Sequence, residues 1–191
     1  MRNIFYLFLL ILFSCSSSDN TILVTNSGEA QGSYYHIKYM SNDGEDYSSQ
    51  IDSILKEVDS SLSIYTDYSL ISKLNRGEEL KTDSLFNAVF LGAQQVFFES
   101  EGSFDCSIFP LVEAWGFYKH KLGDSLKIDS LRFRRILDDV GFQHIHLIGD
   151  SLVMPNNMRL DFNSIAQGFT VDLIGLYLEK MNINSYLIEV G

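Results

Sequence analysis

The chain has 191 residues, of which 46% are hydrophobic and 13% aromatic, which supplies one core in one domain and excludes a disordered protein. Its formal net charge of −11, from 25 acidic against 14 basic residues, argues against binding nucleic acid through phosphates. Two cysteines make no disulfide framework.

The first fourteen residues read as an export signal. Arg2 gives a positive start, and Ile4 to Phe13 is an apolar run short of a comfortable membrane span. The run stops at "LFSC", which is similar to the box at which bacterial lipoproteins are cleaved and lipidated on the Cys, here Cys15. A plain secretory signal with an incidental Cys is the alternative. "SSSDN" and the residues to about 24 then form a tether. Cleavage would remove Arg2 and no acid, leaving the mature chain more acidic still. Cys106, left alone, reads as a buried small hydrophobe.

From there segments of period 2 and period 3.6 alternate, which predicts an α+β domain with a mixed sheet and packed helices over residues 25–191. "TILVTNSGEAQGSYYHIKYM" predicts a hairpin around a Gly-containing turn, with Tyr34, His36 and Lys38 alternating against Tyr35, Ile37 and Tyr39. Ile51, Ile54, Leu55, Val58 and Leu62 give a helix whose other face carries Asp and Ser. A second helix starts at Asp83, with Phe86, Val89, Phe90, Ala93, Val96 and Phe97 as its stripe. "EGSFDCSIFPLVEAWGFYKH" fits neither period. "SLRFRRILDDV" predicts a helix closed by Gly141, followed by strands at "QHIHLI", "SLVM" and "MRLDF" with turns at Gly149-Asp150 and Pro155-Asn156-Asn157. "SYLIEV" is a last strand.

The polar insert in "MRLDFNSIAQGFTVDLIGLYLEKM" asks for a reason, since each buried polar group costs a few kcal/mol unless paired. Ser164 and Gln167 have capping-box spacing at the start of a helix. Asp161 and Gly168 are left over, and Gly168 costs about 1 kcal/mol against Ala unless something approaches the backbone. A helix N-terminus also suits a phosphate. Among Phe104, Phe109, Trp115, Phe117 and Tyr118 any one reads best as core, but Trp115-Gly116-Phe117 sets planar rings beside an open backbone position, as stacking on a base or a flavin requires. Tyr65 is equivocal by itself. His144 and His146 would share a strand face and read as polar surface rather than metal ligands, and His36 and His120 form no pattern. "GDSL" occurs at 123 and 149, but no His follows His146 to complete an esterase triad on Ser151, so the second copy reads as a hairpin turn.

In order along the chain, "GSYYHIKY" at 32, "SIYTDYSLISKLN" at 63, "GSFDCSIFPLVEAWGF" at 102, "LDFNSIAQGFTVD" at 160 and "YLIEVG" at 186 resemble the ApbE family, the FAD:protein FMN transferases. The resemblance runs from about residue 25 to the end, and the lipoprotein signal agrees with it. It implies a flavin transferase fold and a Mg2+-dependent reaction, in which a threonine or serine hydroxyl of an acceptor protein attacks the FAD pyrophosphate, retains FMN and releases AMP. The implied acceptors are flavoprotein subunits of membrane redox complexes of the Nqr and Rnf type. The implied location is the periplasmic side of the inner membrane. By position in the motifs, Gln31, Tyr65, Trp115, Gly116, Phe117, Asp161 and Gln167 match FAD contacts, and Ser164 matches a residue whose backbone carbonyl reaches the metal. Gln167 stands where Lys is frequent. Family members continue for over a hundred residues past the turn that begins at Gly191, with further metal ligands, so the resemblance implies an N-terminal portion with weak or no transfer activity alone. The alternatives are a lipoprotein that binds FAD or hydrolyses it to FMN and AMP, and a degenerate scaffold.

Overall fold

The computed structural model describes residues 21–118 and 130–191. The signal at 1–14, Cys15, His120 and the first GDSL copy lie outside the described residues. Strand β1 (Ile22–Ala30) begins within the stretch read as tether and pairs with β2 (Ser33–Ser41) as the expected hairpin. Gln31 and Gly32 form its two-residue turn with φ of 53° and 74°. That handedness matches the twist of the flanking strands. Tyr35, Ile37 and Tyr39 face inward and are buried, as their alternation predicts. Opposite Tyr35 stands Gly28, where a Cβ would come within 2.8 Å of the tyrosine ring, so only glycine leaves room for it.

Helix α1 (Ser48–Leu62) follows, then the short α2 (Leu70–Asn75) and α3 (Ser84–Glu99). The side chain of Asp83 caps α3, accepting from the N–H of Phe86 at 2.7 Å and from the hydroxyl of Ser61 at 2.9 Å. Helix α4 (Phe109–Ala114) lies in the aromatic segment and α5 (Ser130–Leu137) in the stretch expected to be helical. A small antiparallel hairpin joins β3 (His146–Ile148) to β4 (Ser151–Val153) through Gly149-Asp150, so the second GDSL copy is a turn. The long α6 (Asn163–Lys180) leads to β5 (Tyr186–Val190), which pairs antiparallel with the free side of β2 and sets Ile188 opposite Ile37. The larger sheet therefore has the order β1-β2-β5.

Two apolar clusters fill the interior, and α1 serves both. Ile51 and Leu55 pack with Tyr35, Ile37, Ile174 and Leu178 beneath the sheet. Val58 and Leu62 pack with Phe86, Phe90, Phe142, Leu160 and Phe162. Phe90 stacks near Phe86 and tilts against Phe142, with centroids 6.3 and 5.0 Å apart. The α+β class follows the periodicity of the sequence, and Cys106 is buried and free as expected.

Three local expectations fail. "MRLDF" is not a strand: apart from one isolated bridge between Arg159 and Ile108 it has no ladder partner. Its backbone polar groups still need partners. The Asn75 amide acts as one, donating to the carbonyl of Leu160 and accepting from its N–H, both at 2.8 Å, while the N–H of Asp161 donates to the carbonyl of Cys106 at 2.8 Å. Phe142–His144 forms a 3-10 turn, so His144 and His146 share no strand face. Gly141 does not close α5, which stops at Leu137. Its N–H instead donates to the hydroxyl of Ser107 at 2.7 Å, and Asp105 accepts from the N–H and hydroxyl of Ser107 and from the N–H of Phe142.

Replacing Asn75 with Ala leaves the buried Leu160 peptide without either partner. We expect a loss of about 2 kcal/mol, read as a lower urea midpoint with an unchanged m-value.

Candidate active site

The hairpin turn, the C-terminal end of α1 and the first turns of α6 enclose a cleft of about 390 Å³. Gln31, Asp59, Ser63, Tyr65, Asn163 and Gln167 are among its walls. Three of the predicted FAD contacts, Gln31, Tyr65 and Gln167, thus converge from stretches far apart in sequence. Gln31 is held by the donation of its amide Nε2 to the hydroxyl of Thr170 at 2.6 Å. That hydroxyl in turn donates to the carbonyl of Ala166 at 2.8 Å. This relay fixes the amide orientation and leaves Oε1 of Gln31 buried without a partner. Tyr65 is half-exposed, and its ring lies 5.9 Å from that of Tyr118. The amide of Gln167 lies against Gly191, where a Cβ would fall on it.

Trp115, Gly116 and Phe117 follow α4 and do not line this cleft, although Tyr118 next to them abuts Tyr65. Gly116, at φ 81°, has a local reason: its N–H donates to the carbonyl of Glu113 and that of Phe117 to the carbonyl of Val112, a Schellman cap. Trp115 and Phe117 are 57% and 75% exposed and are not core, whereas Phe109 is buried.

The capping box is overturned. Helix α6 starts at Asn163, so Ser164 lies inside its first turn, and the N-cap position belongs to Phe162, which makes no side-chain cap bond. Asp161 does the capping instead, its Oδ1 accepting from the N–H of Asn163 at 2.8 Å. The N–H groups of Ile165 and Ala166 are taken by the carbonyl of Phe162. This helix end is therefore largely satisfied and carries a carboxylate, which opposes rather than invites a phosphate. Gly168 is exposed, and a Cβ there would meet nothing within 4 Å.

Asp161 is only 7% exposed, and burial holds its carboxyl above the usual carboxylate range, partly offset by the Asn163 N–H. No basic side chain among the described residues pairs with it. Burial also pushes the Cys106 thiol up to about 12, helped by Asp161 and Asp105 and opposed by the Ser164 hydroxyl. Burial likewise raises Asp59 in the cleft wall. The sequence gives no sign of Asp59, because it reads as one more acid on the polar face of α1. Asn163 belongs to the polar insert that asks for a reason, but neither it nor Asp59 is recognisable as a cleft residue until α1 and α6 come together.

With this geometry in view, comparison with known proteins is specific. The profile of the ApbE family matches residues 31–191, and the chain belongs to that family. It is 29% identical to the FAD:protein FMN transferase of Vibrio cholerae, aligned over 96% of this chain and 56% of that protein. With the Haemophilus influenzae protein of the same name it shares 30% identity over 90% of this chain and 53% of the relative. The structure of the flavin transferase ApbE from Vibrio cholerae superposes with a TM-score of 0.83 at 27% identity, over 90% of this chain and 58% of that one. The apo flavinyl transferase ApbE of Pseudomonas stutzeri gives 0.80 at 29% identity, over 89% and 59%. The chain thus spans somewhat more than half the length of these relatives.

Two outcomes follow from the buried groups. A carboxyl whose folded pKa is raised stabilises the fold below its unfolded value, near 3.8, and that contribution is lost as pH rises through the folded value. Asp161→Asn keeps the acceptor and removes the buried charge, so at pH 7 it should melt above the wild type, with the difference shrinking as the pH falls toward 4. Cys106 should resist alkylation by iodoacetamide at pH 8 in the folded protein and react only in denaturant.

Proposed function

We propose that this chain carries an FAD-binding part of a flavin transferase that moves FMN from FAD to a threonine or serine hydroxyl of an acceptor flavoprotein subunit. The hydroxyl oxygen bonds the FMN phosphorus, the pyrophosphate bond breaks and AMP leaves. The observation that carries this reading is the convergence of Gln31, Tyr65 and Gln167 on one cleft, with Asp161 buried at the corner beside it. Gln31 is pinned by Thr170 before any ligand arrives, and Tyr65 offers a ring face on which a base or flavin can stack. Trp115, Gly116 and Phe117 supply a second exposed aromatic edge, reached through Tyr118. Asp161 caps α6, yet its buried carboxyl has no cationic partner among the described residues, and a desolvated carboxyl beside a cleft is a candidate for contact with a ligand.

Mg2+ would neutralise phosphate oxygens in such a transfer. Ser164 is the residue whose carbonyl we assign to it. Among the described residues no three His, Cys, Asp or Glu side chains gather into a metal site. These residues therefore do not fit a complete Mg2+ centre. We further propose export with lipid attachment at Cys15, which would set the domain on the outer side of the inner membrane beside acceptors of the Nqr and Rnf type.

FAD should raise the melting midpoint of the wild type, because a ligand selective for the native state must do so. Asp161→Ala and Tyr65→Ala should each reduce that rise. Incubation with FAD, Mg2+ and a threonine-containing acceptor should give a fluorescent flavin band on a denaturing gel. FMN and AMP formed without a labelled acceptor would point to hydrolysis instead, and no shift with FAD would sink the reading.

A further inference from the structure

The wall of the cleft built by the last turn of α1 differs in chemistry from the others. Asp59 stands there half-buried, desolvated, and with a carboxylate that accepts no hydrogen bond from the described residues. Its backbone carbonyl is engaged by the N–H of Ser63 at 3.2 Å, so the helix end is fixed while the side chain is left over. A helix also carries its negative pole at this end. No Lys, Arg or His lines the cleft. On the facing wall, three of the first four N–H groups of α6, those of Asn163, Ile165 and Ala166, are spent on Asp161 and Phe162. A phosphate placed here would meet charge of its own sign with nothing to neutralise it. A hydroxyl or ring N–H would meet an acceptor that has no other donor.

We infer that Asp59 is a specificity-determining residue of this cleft, accepting a hydrogen bond from a sugar hydroxyl or ring N–H of a nucleoside, so that the cleft holds an uncharged end of the dinucleotide and the phosphates lie outside it. The inference rests on the FAD reading above and adds to it which chemistry enters this cleft. Tyr65 supplies the ring face, Gln31 the fixed far wall, and Asp59 the polar discrimination. Either nucleoside half of FAD carries suitable donors, and competition tells them apart.

The test uses the full 191-residue chain and its Asp59→Ala and Asp59→Asn variants. FAD affinity is measured by flavin fluorescence, followed by displacement with adenosine, riboflavin or inorganic pyrophosphate. Asp59→Ala should weaken FAD by about 10-fold or more, the loss of a hydrogen bond to a charged acceptor, with Asp59→Asn falling between it and the wild type. Adenosine or riboflavin should displace FAD from the wild type, identifying the half that is held, and pyrophosphate should not. Both variants remove a desolvated charge, so melting midpoints at or above the wild-type value separate lost affinity from lost folding. Variants that bind FAD as tightly as the wild type or tighter would overturn the inference, as would displacement by pyrophosphate alone. In those cases FAD binding by the wild type leaves the parent reading standing. A wild type that binds no FAD would remove both.

Discussion

One side-chain amide holds the site together. Asn75, at the end of α2, takes both polar groups of the Leu160 peptide, doing for a single residue what a neighbouring strand does for a ladder. Leu160 is fully buried, and Asp161 follows it with its own N–H tied to Cys106. The segment is therefore fixed on both sides at the point where the chain turns into α6. The direction of α6, and with it the position of Asn163, Ala166 and Gln167 in the cleft, depends on that clasp.

The charge distribution around the corner is not that of an ordinary anion site. Anion sites are commonly helix N-termini with free N–H groups or clusters of Arg and Lys. Here Asp161 caps the helix end, Asp59 lines the cleft, and no basic residue is among the cleft's lining residues. Both carboxyls are held above their ordinary range by burial, so each in its charged form is a cost to the fold. The cleft wall thereby offers the Asp59 carboxylate as an acceptor and no cationic side chain.

Much of the fold is legible in the sequence because it is written in short-range periodicity. Tyr35, Ile37 and Tyr39 alternate and are buried, and the stripe from Phe86 to Ala93 faces the core. "MRLDF" alternates in the same manner, yet its partner is one amide 85 residues away, which no local pattern encodes. Ser164 and Gln167 have the spacing of a capping box, but the helix starts two residues too early for it, because Asp161 captures the N–H of Asn163 first. The residue that looked unexplained thus has a local task, and the pair that looked explained does not. Among the cleft residues, Gln31, Tyr65 and Gln167 were accessible through family resemblance. Asp59 was not, since an acid on a polar helix face carries no mark of what will later pack opposite it.

The central strand of the larger sheet joins a neighbour eleven residues upstream to one about 150 residues downstream, since Ile37 pairs with both Asn26 and Ile188. An isolated hairpin is marginal in water, and closing so long a loop is slow. Ile51 and Leu55 give Tyr35, Ile37 and Tyr39 part of their cover, and Ile174, Leu178 and Val190 complete it. During synthesis, then, the apolar face of the first strands stays incompletely covered until about 150 further residues have been made.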